Sequence, residues 1–346
     1  MKYIGLDVHS DHINCAVIDE QGNLIYHDCF NTSLKNLINL SEKLKHPLSL
    51  VYEEGELADW LYQGLRSSFE EIVVADPIEN RLIYGGDQKS DPIDPLKLAT
   101  LLRGGFINPV HHTWDHHRSQ FKQLVFAYHD MAKQVTRTKN KIKAYYRKQG
   151  IIIKTDSVYH PDKRTLFIKE SRHPEIIEKY YQFLDLFQQE KNRFERTLKK
   201  ESRHYPIIRR FLKIPGVGIV TATTFFTIID DPNRFARKQQ LWSYAHLGKS
   251  VHQSGNYEVT RRQRKGNRLL KYVIKIAAGD AVRQKTNEFT RAYIRMVNIQ
   301  QKEPKLAYRI IARKLATIMW TMWKNNQSYK PREYDTLTKD IAYDLR

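Results

Sequence analysis

Short apolar runs and stretches with helical spacing alternate through the first hundred residues of the chain. Five apolar runs predict β-strands, at 2–8, 14–19, 24–30, 48–52 and 72–75. Two amphipathic stretches, at 34–44 and 57–65, predict helices between them. A further helix is expected from Asp91, which can cap it with Pro92 at its first position. The order βββαβαβα is typical of an α/β sheet domain.

Longer helical patterns follow from about residue 118. Apolar residues recur at 121, 124, 128, 131, 135, 142 and 145, with Thr138 breaking the series, and again at 177, 180, 184, 187, 194 and 198. Alternating steps of three and four residues are the pattern of helices that pack along a seam. With residues 150–174 as the link, we predict a long helical hairpin or a dimerising coiled coil over 118–200.

The rest of the chain predicts mostly helices, up to about residue 325. Between two of them, the segment 214–218 resembles the turn of a helix–hairpin–helix, in which Gly216 and Gly218 would let backbone amides approach a phosphate. An ordinary tight turn between helices is the alternative. The predicted fold class is therefore α/β plus α. The predicted domains are 1–112, 113–205 and 206–330, with a polar tail at 331–346.

The charge of the chain changes sign close to the first predicted domain boundary. The whole sequence of 346 residues has a net charge of +20. Residues 1–110 hold 9 basic and 17 acidic residues, and the remaining 236 hold 49 basic and 21 acidic residues. A basic body of this size predicts a polyanionic partner, because each cation placed on a phosphate releases a counterion. A merely soluble basic surface is the alternative, and nucleic acid is the favoured partner.

Several classes of protein are excluded by composition. Hydrophobic residues make up 41% of the chain, so a wholly disordered chain is not expected. Asp7 falls where a signal peptide would need its apolar stretch, and no long apolar run predicts a membrane span. The two cysteines, Cys15 and Cys29, lack metal-ligand spacing and predict reduced thiols in a cytoplasmic protein.

Cations are concentrated in the first predicted long helix and near residue 260. No acidic residue interrupts 133–148, which carries Lys133, Arg137, Lys139, Lys141, Lys143, Arg147 and Lys148. Such a run is often only a solvated face, but mutual repulsion among seven cations favours contact with phosphates. A second group comprises Arg261, Arg262, Arg264, Lys265 and Arg268.

Four acidic residues stand near the ends of predicted elements in the first domain. They are Asp7, Glu53, Asp91 and Asp94. Carboxylates gathered at one edge of a sheet repel each other unless a divalent cation neutralises them, and oxygen ligands of this kind suit Mg²⁺ or Mn²⁺. Each residue also has a simpler interpretation, with Asp91 as a helix cap and Glu53 or Glu54 as a solvated side chain.

The ordered set of motifs resembles the DEDD transposases of bacterial insertion sequences. These are relatives of the Piv/MooV DNA invertases and include the bridge-RNA-guided recombinases. The resemblance rests on Gly5-Leu6-Asp7-Val8-His9, Tyr52-Glu53-Glu54-Gly55, Lys89-Ser90-Asp91-Pro92-Ile93-Asp94, Ile214-Pro215-Gly216-Val217-Gly218, Asp231-Pro232-Asn233-Arg234-Phe235, Gln253-Ser254-Gly255 and Lys265-Gly266-Asn267-Arg268. It covers nearly the whole chain in the family's order.

The resemblance implies a RuvC-like domain of RNase H type, a coiled-coil region and a C-terminal transposase domain. In it, Asp7, Glu53, Asp91 and Asp94 would bind Mg²⁺ or Mn²⁺, with Glu54 as an alternative to Glu53. Ser254 would be the nucleophile that links the protein to DNA. The implied partners are the DNA of the element ends and target, a bridge RNA, and further copies of the chain in a dimer or tetramer. The implied location is the bacterial cytoplasm, at the nucleoid.

Two alternatives to a serine recombinase follow from the same residues. A Ser-Gly pair is usually a turn, and in that case the chain would be a RuvC-type metal-dependent nuclease that forms no covalent intermediate. A non-catalytic nucleic-acid-binding protein is the other alternative. The four histidines His111, His112, His116 and His117 could suggest zinc, but without a cysteine partner they favour an exposed linker.

Overall fold

The computed structural model describes residues 1–77, 93–113, 115–248, 250–254, 257–261 and 266–331, with residues 93, 250–254 and 257–261 described by their backbone alone. These residues form two compact units, Met1–Ser119 and Gln120–Arg346. The three-domain division expected from the sequence stays a prediction. Within the described residues, no helix combines the length and apolar character needed to cross a membrane.

A five-stranded mixed sheet forms the first unit. Its strands are β1 (Lys2–Val8), β2 (His12–Ile18), β3 (Leu24–Asn31), β4 (Leu48–Glu53) and β5 (Glu71–Ala75), in the order β3-β2-β1-β4-β5. The first three pair as an antiparallel meander, and β4 and β5 are added parallel to β1. The predicted α/β sheet is confirmed, and this arrangement is compatible with a domain of RNase H type.

Helices cover both faces of this sheet. On one face, α1 (Leu34–Leu44) and α2 (Ala58–Leu65) pack on the apolar residues of β1, β2 and β4, including Leu6 and Leu50. On the other face, α3 (Ile93–Gly104) packs through Leu98 and Leu102. The two cysteines are free thiols, with Cys15 buried and Cys29 exposed.

The contact of α3 with the sheet requires a glycine. A Cβ atom on Gly5 of β1 would lie 1.9 Å from the carbonyl oxygen of Pro95 and 2.8 Å from the amide nitrogen of Ala99. Since neither backbone atom can move without shifting the helix, only glycine allows α3 to approach β1 this closely. Gly5 therefore sets the position of the first turn of α3.

Two long helices dominate the start of the second unit. They are α4 (His116–Lys148), which belongs to this unit from Gln120 onward, and α6 (Pro174–Glu201). Val135, Ile142 and Tyr146 of α4 share a core with Ile177 and Leu184 of α6. The helical hairpin is therefore present, and the coiled coil stays a prediction. The predicted link contains a 3-10 turn (Ser157–Tyr159) and a further helix, α5 (Pro161–Glu170).

The buried stripe of α4 differs in detail from the predicted seam. Val125 and Tyr146 are buried, whereas the predicted Leu124, Met131 and Tyr145 are only half-buried. Thr138, expected to break the seam, is itself buried. An α-helix has 3.6 residues per turn, so a stripe of period 3.5 drifts to the neighbouring positions along a long helix.

The C-terminal part of the unit is a helical core with a small hairpin. Its helices are α7 (Pro206–Phe211), α8 (Ile219–Ile229), α9 (Lys238–Tyr244), α10 (Arg268–Arg283), α11 (Glu288–Ile294) and α12 (Pro304–Lys324). The strands β6 (Ser250–Ser254) and β7 (Tyr257–Arg261) form an antiparallel pair that the sequence did not predict. α8 is buried along most of its length, from Thr221 to Ile229.

The turn before α8 also depends on a glycine. Gly216 has φ +80°, and a Cβ atom there would lie 2.2 Å from the carbonyl oxygen of Ala277 and 2.4 Å from the amide nitrogen of Ala281 in α10. Gly216 therefore serves the packing of this turn on α10. Gly218 is the N-cap of α8, and a Cβ atom there would meet nothing within 4 Å.

Replacement of Gly216 by alanine tests this packing. We expect Gly216→Ala to lower the free energy of unfolding by about 3 kcal/mol or more, because it adds a clash with α10 to a left-handed backbone conformation. The matched control is Gly279→Ala, within α10, where a Cβ atom meets nothing within 4 Å. That change should raise stability by about 0.5–1 kcal/mol. Chemical denaturation measures both, and an equal effect of the two substitutions would contradict the packing role.

Candidate functional site

Two of the four predicted acidic residues lie side by side at one edge of the sheet. The parallel ladder of β1 and β4 ends with Leu6 opposite Tyr52, so Asp7 and Glu53 are the next residues on the two strands. Side chains alternate between the faces of a strand. Asp7 therefore lies on the face of Tyr3, and Glu53 on the face of Val51, which is the face covered by α3.

The third acidic residue reaches the same edge on α3. Asp94 lies in the first turn of that helix, directly before Pro95, whose carbonyl oxygen faces Gly5. Gly5 and Asp7 are two residues apart on β1 and so share a face. The seating of α3 on Gly5 therefore brings the start of the helix to the end of the sheet that carries Asp7. Asp91 lies outside the described residues, as does its predicted role as a helix cap.

Strand geometry distinguishes Glu53 from Glu54 by the face of the sheet on which each side chain lies. Glu53 is the last residue of β4, whereas the amide of Glu54 donates to the carbonyl oxygen of Ala75 at 3.0 Å. The hydroxyl of Tyr52 donates to the carbonyl oxygen of Ala58 at 3.1 Å, and burial raises the pKa of this phenol. This buried bond anchors the end of β4 to α2. By alternation along the strand, Glu53 shares the α3 face with Asp7, and Glu54 does not.

Asp7 has two polar neighbours that the sequence analysis did not assign. Oδ2 of Asp7 lies 3.1 Å from Nε2 of His9, whose ring stacks on His12 with 4.5 Å between ring centroids. Asn14 of β2 is paired with Asp7 across the ladder and is buried. A polar residue between Ile13 and Cys15 in an apolar strand was the available signal for Asn14.

The ligand chemistry of this edge fits a divalent cation. Asp7, Glu53 and Asp94 supply the carboxylate oxygens that Mg²⁺ and Mn²⁺ prefer, and Asp7 is only about a quarter exposed. Asp94 also lies 3.9 Å from the ammonium group of Lys97. Across the described ranges, no three His, Cys, Asp or Glu side chains are grouped closely enough to hold a metal ion. Asp91 falls in a gap of those ranges.

Ser254 lies at the end of a strand. It is the last residue of β6, and its backbone pairs with Tyr257 of β7 across the short connection of the hairpin. The sequence analysis predicted no strand here, since strand pairing over five residues leaves little periodic signal. Arg261 ends β7, opposite Ser250. Arg262, Arg264 and Lys265 lie outside the described residues.

The segment after the hairpin is tied to the end of α9. Gly266 has φ +133°, and a Cβ atom there would lie 2.7 Å from the carbonyl oxygen of Tyr244. Asn267 caps α10 by accepting from the amide of Leu270 at 2.8 Å. Gly266 and Asn267 therefore set where α10 starts and leave Arg268 exposed in its first turn.

The motif at residues 231–235 also has a structural role. The side chain of Asp231 accepts from the amide of Asn233 at 2.9 Å and shapes the turn between α8 and α9. The carbonyl oxygen of Pro232 accepts from Nε1 of Trp320 at 2.8 Å, and the guanidinium of Arg234 lies 4.8 Å from the ring centroid of Tyr244. These contacts hold the C-terminal core together.

The seven cations of α4 divide into separate groups. Lys143 pairs with Asp156 at 2.9 Å and, with Lys139, lies near the ring of Tyr159. The ion pair lowers the pKa of Asp156 and raises that of Lys143. The positive charge of the run is therefore partly neutralised, because Asp156, an acidic residue outside the run, pairs with Lys143. Arg147 and Lys148 are exposed at the end of the helix. The other three cations, Lys133, Arg137 and Lys141, line a groove between α4, α6 and α10.

The four histidines are not grouped as metal ligands. The ring of His112 stacks on Tyr62 with 5.2 Å between centroids, whereas His116 and His117 are exposed in the first turn of α4. Asp115 accepts from the amide of His117 at 2.9 Å and so caps that turn. The described part of the chain thus offers no zinc cluster here.

Comparison with known families identifies the class of protein. A transposase model of the IS110 DEDD type matches residues 4–148, and a model described as "Transposase IS116/IS110/IS902 family" matches residues 208–294. Together they cover about two thirds of the chain. The first match contains the sheet with its acidic edge, and the second contains the β6–β7 hairpin. The class is that of the transposases, which bind DNA and, in the DEDD type, use divalent metal ions.

Individual relatives agree with these matches. The transposase for insertion sequence element IS1111A of Coxiella burnetii is 27% identical over 139 residues, which is 40% of this chain and 38% of the relative. The putative transposase y4pF/y4sB of Sinorhizobium fredii is 26% identical over 40% of this chain and 37% of the relative, and the putative transposase y4qE of the same organism is 23% identical over 82% and 77%. The chain thus spans less than two fifths of the length of the first two relatives. It belongs to the IS110 family of transposases.

A buried histidine of α4, His129, contacts α8. Nε2 of His129 is 2.8 Å from Oγ1 of Thr224 in α8, and its side chain is buried. Burial lowers the pKa of His129 to about 4, with a further contribution from the ammonium group of Lys133, while Asp130 acts in the opposite direction. His129 is therefore neutral in the folded protein at neutral pH.

This buried histidine predicts a pH dependence of stability. Between pH 6.5 and about 4, the unfolded chain binds a proton on His129 and the folded protein does not, so stability falls as the pH falls through this window. The loss should reach about 3 kcal/mol. Chemical denaturation across this range should show a shallower slope for His129→Gln than for wild type. The exposed-site control His160→Gln should keep the wild-type slope, and equal slopes for wild type and His129→Gln would contradict the assignment.

Proposed function

We propose that this protein is an insertion-sequence recombinase that cleaves and rejoins DNA through a serine-linked intermediate. Ser254 is the nucleophile, and Asp7, Glu53, Asp91 and Asp94 hold Mg²⁺ or Mn²⁺. The observation that carries the acidic half of the proposal is the alignment of Asp7 and Glu53 on neighbouring parallel strands, on the face where Gly5 receives the first turn of α3. The family match supports the same assignment.

Each step of the reaction forms one phosphorus–oxygen ester bond and breaks another, so the number of ester bonds does not change. Oγ of Ser254 gives up its proton to solvent and attacks a DNA phosphorus, so that a serine–phosphorus ester forms. The bond to the leaving sugar oxygen breaks as that oxygen takes a proton. Attack by a sugar hydroxyl on the ester reverses these changes, so rejoining needs no ATP. A bound divalent cation would stabilise charge on the phosphoryl oxygens. Arg261 and the cations up to Arg268 would hold the phosphate near the hairpin.

Partners of the recombinase belong to the same proposal. The resemblance implies a bridge RNA that guides the choice of DNA, and a dimer or tetramer in which the acidic residues of one copy act with the serine of another. The turn at Gly218 would bind DNA backbone through the open first turn of α8, and the cations of α4 would contact phosphates. We place the protein in the cytoplasm at the nucleoid.

The covalent intermediate gives the direct test. Wild type incubated with labelled element-end DNA, RNA transcribed from the element flanks and Mg²⁺ should form a slow, protease-sensitive band on a denaturing gel. Ser254→Ala should lower its yield by at least about a thousandfold, because the substitution removes the attacking hydroxyl. Cleavage that persists in Ser254→Ala but not in Asp7→Ala, without the band, would make the protein a metal nuclease. Binding without cleavage under any metal would make it a non-catalytic protein.

Glu53 and Glu54 offer a matched pair for the metal-binding role. We expect Glu53→Gln to lower the cleavage rate by about a hundredfold or more, because it removes a carboxylate from the edge shared with Asp7. Glu54→Gln, which changes charge and size in the same way one residue along, should stay within a few-fold of wild type. Restoration of Glu53→Gln by Mn²⁺ would agree with a ligand role. The reverse ranking of the two variants would contradict the assignment.

A further inference from the structure

A groove in the second unit is lined by residues of α4, α6 and α10. The volume of this groove is about 1070 Å³, slightly above the usual range of ligand pockets. Five cations line it, and no acidic side chain of the described residues does. The five are Lys133, Arg137, Lys141, Lys191 and Arg268.

The cations of α4 follow one line along the groove. Lys133, Arg137 and Lys141 are spaced by four residues, so they succeed each other by about 6 Å along the helix. This spacing is of the order of that between phosphates along an extended strand. Lys133 also pairs with Asp130, three residues earlier on α4, at 2.9 Å. Arg268 belongs to the first turn of α10, where the helix dipole adds to the positive potential.

Between these cations the groove is apolar and aromatic. Ala132, Val135, Ala144 and Leu269 contribute to its lining, and Tyr128 lies buried beside them. Tyr272 stands at the rim with 57% of its surface exposed. An exposed tyrosine next to an apolar floor offers a face on which an unpaired base can stack.

Duplex DNA would not use such a lining. A duplex presents phosphates outward and keeps its bases stacked inside, so a basic surface without an apolar floor is enough to hold it. An unpaired strand exposes bases as well as phosphates and matches cations that flank an apolar, aromatic floor. Strand transfer between DNA molecules requires strands that have left their duplex, so such strands are available to a transposase.

We propose that this groove binds an unpaired DNA strand, with phosphates on Lys133, Arg137 and Lys141 and a base stacked on Tyr272. The proposal rests on the proposed function only in taking DNA as the substrate. It separates the three groove cations from Lys139 and Lys143, which contact Tyr159 and Asp156. It also adds Lys191 and Tyr272 to the residues that bind nucleic acid.

Binding measurements on the full chain test the proposal. Fluorescence anisotropy in metal-free buffer compares a labelled 20-nucleotide DNA strand, the RNA of the same sequence, and the DNA duplex. We expect Tyr272→Ala to weaken binding of the DNA strand about tenfold and of the duplex less than about twofold, and Tyr272→Phe to retain wild-type affinity. The matched control is Ile276→Ala, one turn further along α10 and also exposed.

The salt dependence tests the phosphate contacts separately. The triple variant Lys133→Ala, Arg137→Ala, Lys141→Ala should reduce the slope of log affinity against log salt for the DNA strand by about 2. The control triple variant Lys163→Ala, Lys169→Ala, Lys179→Ala removes the same charge from exposed positions of α5 and α6. It should leave the slope within about 0.5 of wild type.

Each other result overturns the proposal in a distinct way. Equal losses for strand and duplex would make the groove part of a duplex-binding surface. A loss on RNA alone would make RNA the occupant, and no loss on any nucleic acid would leave the groove without this role. Because no strand is cleaved in metal-free buffer, these results do not depend on the serine chemistry. Failure of the covalent adduct therefore leaves the groove result intact, and the reverse also holds.

Discussion

The close approach of α3 to Gly5 is the contact on which the acidic edge of the sheet depends. β1 is the central strand, and its fifth residue must lack a side chain for the carbonyl oxygen of Pro95 to lie over it. That approach brings Asp94 to the end of the strand that carries Asp7, while the parallel pairing of β1 with β4 brings Glu53 there. Backbone packing thus determines which carboxylates share this edge of the sheet, although carboxylates by themselves repel each other.

Acidic residues prevail in the first part of the chain, and basic residues prevail in the rest. A domain rich in carboxylates repels polyanions on its own, so a polyanionic partner would be attracted to the basic second unit. Within that unit the cations are not equivalent. Lys143 is paired with Asp156 and lies near Tyr159, whereas Lys133, paired with Asp130, and Arg137 and Lys141 border an apolar groove. The same helix therefore contributes its cations to two surfaces with different surroundings.

Several motifs of the family serve the fold of the C-terminal unit. Gly216 allows a turn to pack on α10, Gly266 allows the chain to lie against the end of α9, and Asp231 shapes the turn before it. A glycine motif that suggests phosphate binding in a sequence can thus owe its glycine to helix packing, and in this turn only Gly218 remains open.

The sequence by itself determined the α/β sheet, the long helices, the charge division and the family. These properties follow from local periodicity, composition and ordered motifs, which are present in the chain before it folds. Tertiary structure alone decided that Glu53, and not Glu54, shares a face with Asp7, because facing depends on strand pairing. It also decided the β6–β7 hairpin, the drift of the buried stripe of α4 to Val125 and Tyr146, and the pairing of Lys143 with Asp156. Each of these depends on contacts between residues distant in sequence or on helix geometry over many turns, which local spacing does not encode.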